Sequence, residues 1–175
     1  MKINRLLLLA CFLFAGFQAW AQPHQGSVLL GGTAGFTSVS QDNINITIFS
    51  FAPKAGFFIT DRFALGGEVN LTFYGGDGSG SQVSLSPLVR YYFNGEGATR
   101  FFGQGSITWQ NIKIGGGFDG QSAFGFGLGA GMDYFFNEHV ALEAIVGYNS
   151  LNGENDAGAV NTFGIQLGVA AFIGR

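Results

Sequence analysis

Residues 123–136 read AFGFGLGAGMDYFF, and two registers interleave through them. Phe124, Phe126, Leu128, Ala130, Met132, Tyr134 and Phe136 form one register; Ala123, Gly125, Gly127, Gly129, Gly131, Asp133 and Phe135 form the other. A period of two is that of a β-strand, whose side chains alternate between faces. One face here is large and apolar while the other is mostly bare backbone. That contrast suits a strand with lipid on its outer side and a crowded lumen on its inner side.

The rest of the chain agrees. Charged residues make up 11%, against about 25% in an ordinary soluble domain, while Gly (30) and Phe (20) are abundant. The N-terminus reads as a secretory signal over residues 1–21: Lys2 and Arg5, an apolar run from Leu6 to Phe17, then Ala19-Trp20-Ala21 as a small-x-small cleavage site. Leu8-Leu9-Ala10-Cys11 offers a competing lipoprotein reading, with Cys11 lipidated, although the apolar run before it is short. Cleavage after Ala21 leaves a single domain, residues 22–175, without cysteine, so thiol chemistry is excluded. Without Lys2 and Arg5, six basic face eleven acidic side chains, a formal charge of −5 that offers no footprint for nucleic acid. After the signal no apolar run approaches the ~18 residues of a spanning helix, so any membrane span must be built from strands.

Eight strand-like runs are expected, at 27–37, 44–59, 63–74, 82–93, 100–112, 122–136, 140–150 and 161–174. The breaks at 60–62, 94–99 and 137–139 are short; those at 38–43, 75–81, 113–121 and 151–160 are longer and richer in Gly, Asp and Asn. The fold class is therefore all-β: an eight-stranded antiparallel up-and-down transmembrane β-barrel, with short periplasmic turns and longer extracellular loops. Pairs recur once per hairpin at the turn end: Phe57-Phe58, Tyr92-Phe93, Phe135-Phe136 and Phe172-Ile173. Outward Phe63 and Phe73 are ten residues apart, which at ~3.3 Å rise and ~40° tilt spans the ~25 Å apolar band of an outer-membrane barrel. A soluble lipocalin-like barrel would reverse the phase, with apolar side chains inside. The second strand does not phase cleanly, because Ile44, Ile46 and Ile48 oppose the register of Phe49, Phe51 and Phe57; a bulge near residues 48–50 is expected to reconcile them. Pro53 and Pro87 fall in outward registers.

With its signal, eight amphipathic strands, short turns at one end and Gly-rich loops at the other, the chain resembles the small outer-membrane β-barrel proteins of the OmpA/OmpX type. The resemblance covers the whole mature chain. It implies a monomeric protein of the Gram-negative outer membrane, inserted by the barrel-assembly machinery, with roles across the family from envelope structure and adhesion to narrow conductance. The insertion signal of such barrels matches the alternating final strand, Gln166 to Ile173. No peptidoglycan-binding domain, and so no wall anchor of the OmpA type, is expected.

Five ionisable residues occur in the inward register: Lys54, Glu68, Arg90, Asp133 and Glu143. A hairpin centred on Asp61 sets Lys54 opposite Glu68 as a salt bridge. One centred on Glu138 sets Asp133 opposite Glu143, two carboxylates that would share a proton unless a cation intervenes. Arg90, with five donors, is expected to reach them across the lumen. Inward Tyr92, Phe102, Phe135 and Phe172 crowd the turn end. The charges then fill and stiffen a closed lumen; the alternative is a narrow ion or small-solute channel gated by the same network.

Catalysis finds little support, since the mature chain has only His24 and His139, and His139 is expected to be a solvated turn residue on the periplasmic side. No cofactor and no metal site are expected. The outer loops carry Asp42, Asp77, Asp119, Glu154 and Asp156 against Lys113 alone. This anionic rim would meet lipopolysaccharide phosphates through divalent cations or recognise an external partner. Two aromatic girdles against lipid are expected: Phe63, Phe93, Phe101, Tyr134 and Phe136 toward the turns, and Phe73, Trp109, Phe124 and Tyr148 toward the loops.

Overall fold

The computed structural model describes residues 23–41, 44–76, 79–93, 97–114, 121–153 and 159–174. The expected signal segment, Cys11 and the acidic loop residues lie outside them. Eight strands follow in order: β1 (Val28–Gln41), β2 (Ile44–Phe58), β3 (Phe63–Gly76), β4 (Gly80–Tyr92), β5 (Thr99–Ile114), β6 (Gln121–Phe135), β7 (Val140–Gly153) and β8 (Ala159–Ile173). Each pairs antiparallel with its neighbour and β1 meets β8, closing the barrel. The strands run further toward the loop end than expected, so residues 38–41 of the first long break and the edges of the other long breaks are strand. At ~3.3 Å per residue and ~40° tilt, 13 to 16 residues rise beyond a ~25 Å apolar band, and the hairpins project past the membrane.

Closure carries a stagger. From Val28 the ladder passes through Phe57, Leu65, Val89, Gly105, Leu128 and Tyr148 to Phe163, whereas Val28 itself pairs with Ile173, ten residues away. That stagger sets the strands at about 40° to the barrel axis.

No bulge interrupts β2. Its register against both β1 and β3 is constant from end to end, so Ile46 and Ile48 share the inward register with Ser50, Ala52 and Lys54. Apolar inward residues are tolerated there because this part of β2 lies toward the loop end, where polar-in, apolar-out alternation relaxes. Each proline is absorbed without a shift. Pro53 pairs with Gly32 and Pro87 with Gly67 on one side; on the other, the pairs at residues 52–53 and 86–87 drop out and the ladder resumes unshifted. A residue without an N–H removes a rung there without changing the count.

The β1–β8 ladder is short. It holds six pairs, from Val28↔Ile173 to Thr33↔Gly168, where the other seven ladders hold eleven to fourteen. Gly168 marks the last close approach: a Cβ there would stand 2.5 Å from the Gly32 carbonyl oxygen. Above it, both faces of β8 from Ala159 to Leu167 are exposed.

The inward glycines of β6 have the expected use. At Gly131 a Cβ would lie 2.5 Å from the Phe102 ring and 2.6 Å from the Ala144 carbonyl oxygen. Replacing Gly131 by Ala is expected to cost about 1–3 kcal/mol through overpacking, measured as a lower midpoint of denaturant unfolding in micelles.

Candidate luminal site

The lumen divides into a closed turn end and an open loop end, because the inward residues change character along every strand. At the turn end the recurring aromatic pairs split between two environments. Phe58, Tyr92, Phe135 and Phe172 turn inward and pack on one another, with centroids 5.8 Å apart for Phe58–Tyr92, 6.2 Å for Phe58–Phe172 and 5.0 Å for Phe135–Phe172. Phe57, Phe93, Phe136 and Ile173 turn outward and are exposed. Phe102, Leu29, Ala64, Ala141, Ile145 and Ala170 complete the buried cluster. Tyr92, Phe102, Phe135 and Phe172 thus stand where the sequence puts them. Phe58 and Leu29 join them, and continuing the inward register of Lys54 four residues along β2 finds Phe58.

Immediately above the ring lies the charge network. Glu143 is its hub: Lys54 Nζ donates to Oε1, and Arg90 Nη1 donates to Oε2 at 2.5 Å. The same Nη1 stands 3.9 Å from Asp133 Oδ2 and 3.3 Å from Tyr92 Oη. Tyr92 Oη donates to Asp133 Oδ2 at 2.5 Å. Arg90 Nε and Nη2 donate to Gln104 Oε1 at 3.1 and 2.6 Å, and the guanidinium lies 3.9 Å over the Phe102 ring. Arg90, Asp133 and Glu143 are each 0% exposed.

Both expected register pairs occur, Lys54↔Glu68 and Asp133↔Glu143. Arg90 intervenes between the two carboxylates as expected. The Lys54–Glu68 salt bridge does not form: Lys54 crosses the lumen to Glu143 instead. A backbone register fixes Cα neighbours, whereas a lysine stem reaches any wall of so narrow a barrel, and Glu143 is the better partner because Arg90 and Lys54 bind its two oxygens at once. Arg100 also turns inward, is buried, and lies 5.2 Å over the Phe135 ring. Alternation with outward Phe101 was the signal for it.

Toward the loop end the lumen is polar. A cavity of about 530 Å³ is lined by Glu68, Asn70, Gln82, Ser84, Gln110 and Thr162, among others. A smaller one, about 130 Å³, reaches down to Leu88, Gln104 and Ile145 just above the network.

Of the girdle aromatics, Phe73, Phe93, Phe101, Trp109, Phe124, Tyr134, Phe136 and Tyr148 are exposed on the outer face. Phe63 is half-buried beside the first turn. Tyr91 adds to the turn-end girdle, edge-on to Phe93 at 5.7 Å. The histidines hold the turn end together. His24 Nδ1 is 3.0 Å from the buried Ser27 hydroxyl. His139 is half-buried, not solvated, with Nδ1 3.1 Å from the Phe172 carbonyl oxygen, because the β7–β8 register carries on past Val140↔Ala171 and the Phe172 N–H donates to the His139 carbonyl oxygen at 2.7 Å.

A family match and several solved structures place this geometry among known proteins. The family described as Outer membrane protein beta-barrel domain matches residues 7–171. Among solved structures, Neisserial surface protein A is similar at 18% identity, covering 86% of this chain and 100% of that one with a TM-score of 0.59. The outer membrane protein OprG of Pseudomonas aeruginosa gives 16%, 88%, 99% and 0.57, and the N-terminal β-barrel domain of OprF from the same organism 22%, 85%, 98% and 0.56. At such identities these likenesses establish the fold. No curated protein matches the sequence.

Replacing Tyr92 by Phe keeps the ring packing but removes the hydrogen bond to Asp133. A buried hydrogen bond to a charged group contributes about 1.5–3 kcal/mol, and unfolding of the variant in micelles is expected to show a loss of that size.

Proposed function

Because the chain belongs to the outer membrane protein beta-barrel domain family, we propose that it serves as a closed, monomeric wall element of the outer membrane, acting structurally and through its external surface. Its place is the outer membrane, and its outer face is built for lipid: large apolar side chains such as Phe124, Phe126, Leu128 and Phe163 stand exposed around the perimeter. The observation that carries the closed reading is the double seal at the turn end. An ion crossing the lumen would have to part the Phe58–Tyr92–Phe172 cluster and break both hydrogen-bonded ion pairs of Glu143. Removing one partner of a buried pair costs about 3–5 kcal/mol, so an open state would be rare.

The non-catalytic part of this reading is supported by the placement of the histidines. Both bond to turn-end groups, away from the polar cavity. Insertion by the barrel-assembly machinery and contact of the loop end with lipopolysaccharide complete the proposal, the first from the alternating apolar face of β8 and the second from the acidic loop sequences.

Planar-bilayer recording tests it. Purified protein and its Glu143→Gln variant are both expected to give no resolved conductance steps. Wild-type steps whose ion selectivity changes in Glu143→Gln would replace the closed wall with the gated channel.

A further inference from the structure

Above the seal, the lumen has one carboxylate that the network does not use. Glu68 lines both cavities and so stands at the waist between them. Its register partner across β2 is Lys54, whose ammonium is turned away to Glu143; across β4 it faces Ser86. Among the described residues no side chain forms an ion pair with Glu68. Lys54 and Arg90 both turn down to Glu143, and among the described residues Glu68 is the only ionisable side chain that lines either cavity.

The walls above it are neutral donors and acceptors, held in place by one another. Gln82 Nε2 donates to Gln110 Oε1 at 3.0 Å, Tyr74 Oη donates to Gln82 Oε1 at 3.1 Å, and the Ser86 and Thr108 hydroxyls lie 2.9 Å apart. Asn70, Ser84, Thr162 and Gln166 add further amides and hydroxyls. At about 530 Å³ the cavity is within the size range of small-molecule sites. Its lining sets these amides and hydroxyls beside the apolar Ala123, Leu151 and Val160, a mixture that matches a sugar, whose hydroxyl groups stand around faces of C–H.

We propose that the loop-end cavity binds a small polyhydroxylated solute carrying one ammonium group, with Glu68 as the counter-charge at its floor and the amide and hydroxyl walls engaging the hydroxyls. The chemistry is that of an amino sugar. The ammonium donates to the Glu68 carboxylate, a charge-assisted contact that water also solvates, so the preference is moderate. The site needs no passage through the seal and stands whether or not the lumen conducts.

Glucosamine and glucose differ by an amine for a hydroxyl and are the probes. Titrated into the protein in micelles at mildly acidic pH and followed by amide chemical shifts, glucosamine is expected to bind about tenfold more tightly than glucose, the ratio a charge-assisted hydrogen bond supplies. Glu68→Gln is expected to abolish that preference, bringing the two sugars to equal affinity. Gln166→Glu, adding a second carboxylate to the wall, is expected to tighten glucosamine several-fold and to widen its preference over glucose. Equal affinity of wild type for the two sugars overturns the proposal, as does a folded Glu68→Gln that keeps the preference. Should Glu68→Gln not fold, an unchanged glucosamine affinity in Gln166→Glu overturns it.

Discussion

The closed half of the lumen depends on one carboxylate. Glu143 is held on one oxygen by Lys54 from β2 and on the other by Arg90 from β4, so a residue of β7 ties together opposite sides of the barrel. With Asp133 four ions are taken out of water in so small a space, which is tolerated only when each is hydrogen-bonded. Gln104, Tyr92 and the Phe102 face complete the coordination of Arg90, and Tyr92 links it to Asp133. The aromatic ring below can then pack against a neutral ceiling instead of an unpaired charge.

The outer face answers a different constraint. In lipid every backbone polar group must find its partner within the barrel, and seven long ladders with a ten-residue stagger meet that demand with a lumen narrow enough for side chains to fill. The eighth ladder stops at Thr33 and Gly168. The wall is therefore continuous where the lumen is sealed and parts between β1 and β8 where the lumen is polar.

What was legible in the sequence followed from alternation. The period-two pattern of residues 123–136 fixes β6, its faces and the use of its glycines, and turn centres at Asp61 and Glu138 give the Lys54↔Glu68 and Asp133↔Glu143 registers. The actual partner of Lys54 was not legible, because an ion pair across a lumen depends on curvature and side-chain reach, which no single hairpin contains. The bulge expected in β2 had a similar origin: Ile46 and Ile48 break the outward pattern because β2 extends beyond the apolar band, so a change of environment read as a change of register. Arg100 and Phe58 were accessible by extending registers already identified in their own strands. The short β1–β8 ladder was not, since closure joins residues at the two ends of the chain and leaves no local signature.

A double-mutant cycle on Arg90 and Glu143 tests the central claim most directly. Unfolding free energies of wild type, Arg90→Met, Glu143→Gln and the double variant would be measured in one micelle system. Residues sharing a buried ion-pair network couple by about 0.5–3 kcal/mol, and a coupling of about 2 kcal/mol or more is predicted, with the double variant well short of the sum of the singles. Additivity within about 0.5 kcal/mol would contradict the account, because Glu143 would then be no hub and the seal would rest on the aromatic ring alone.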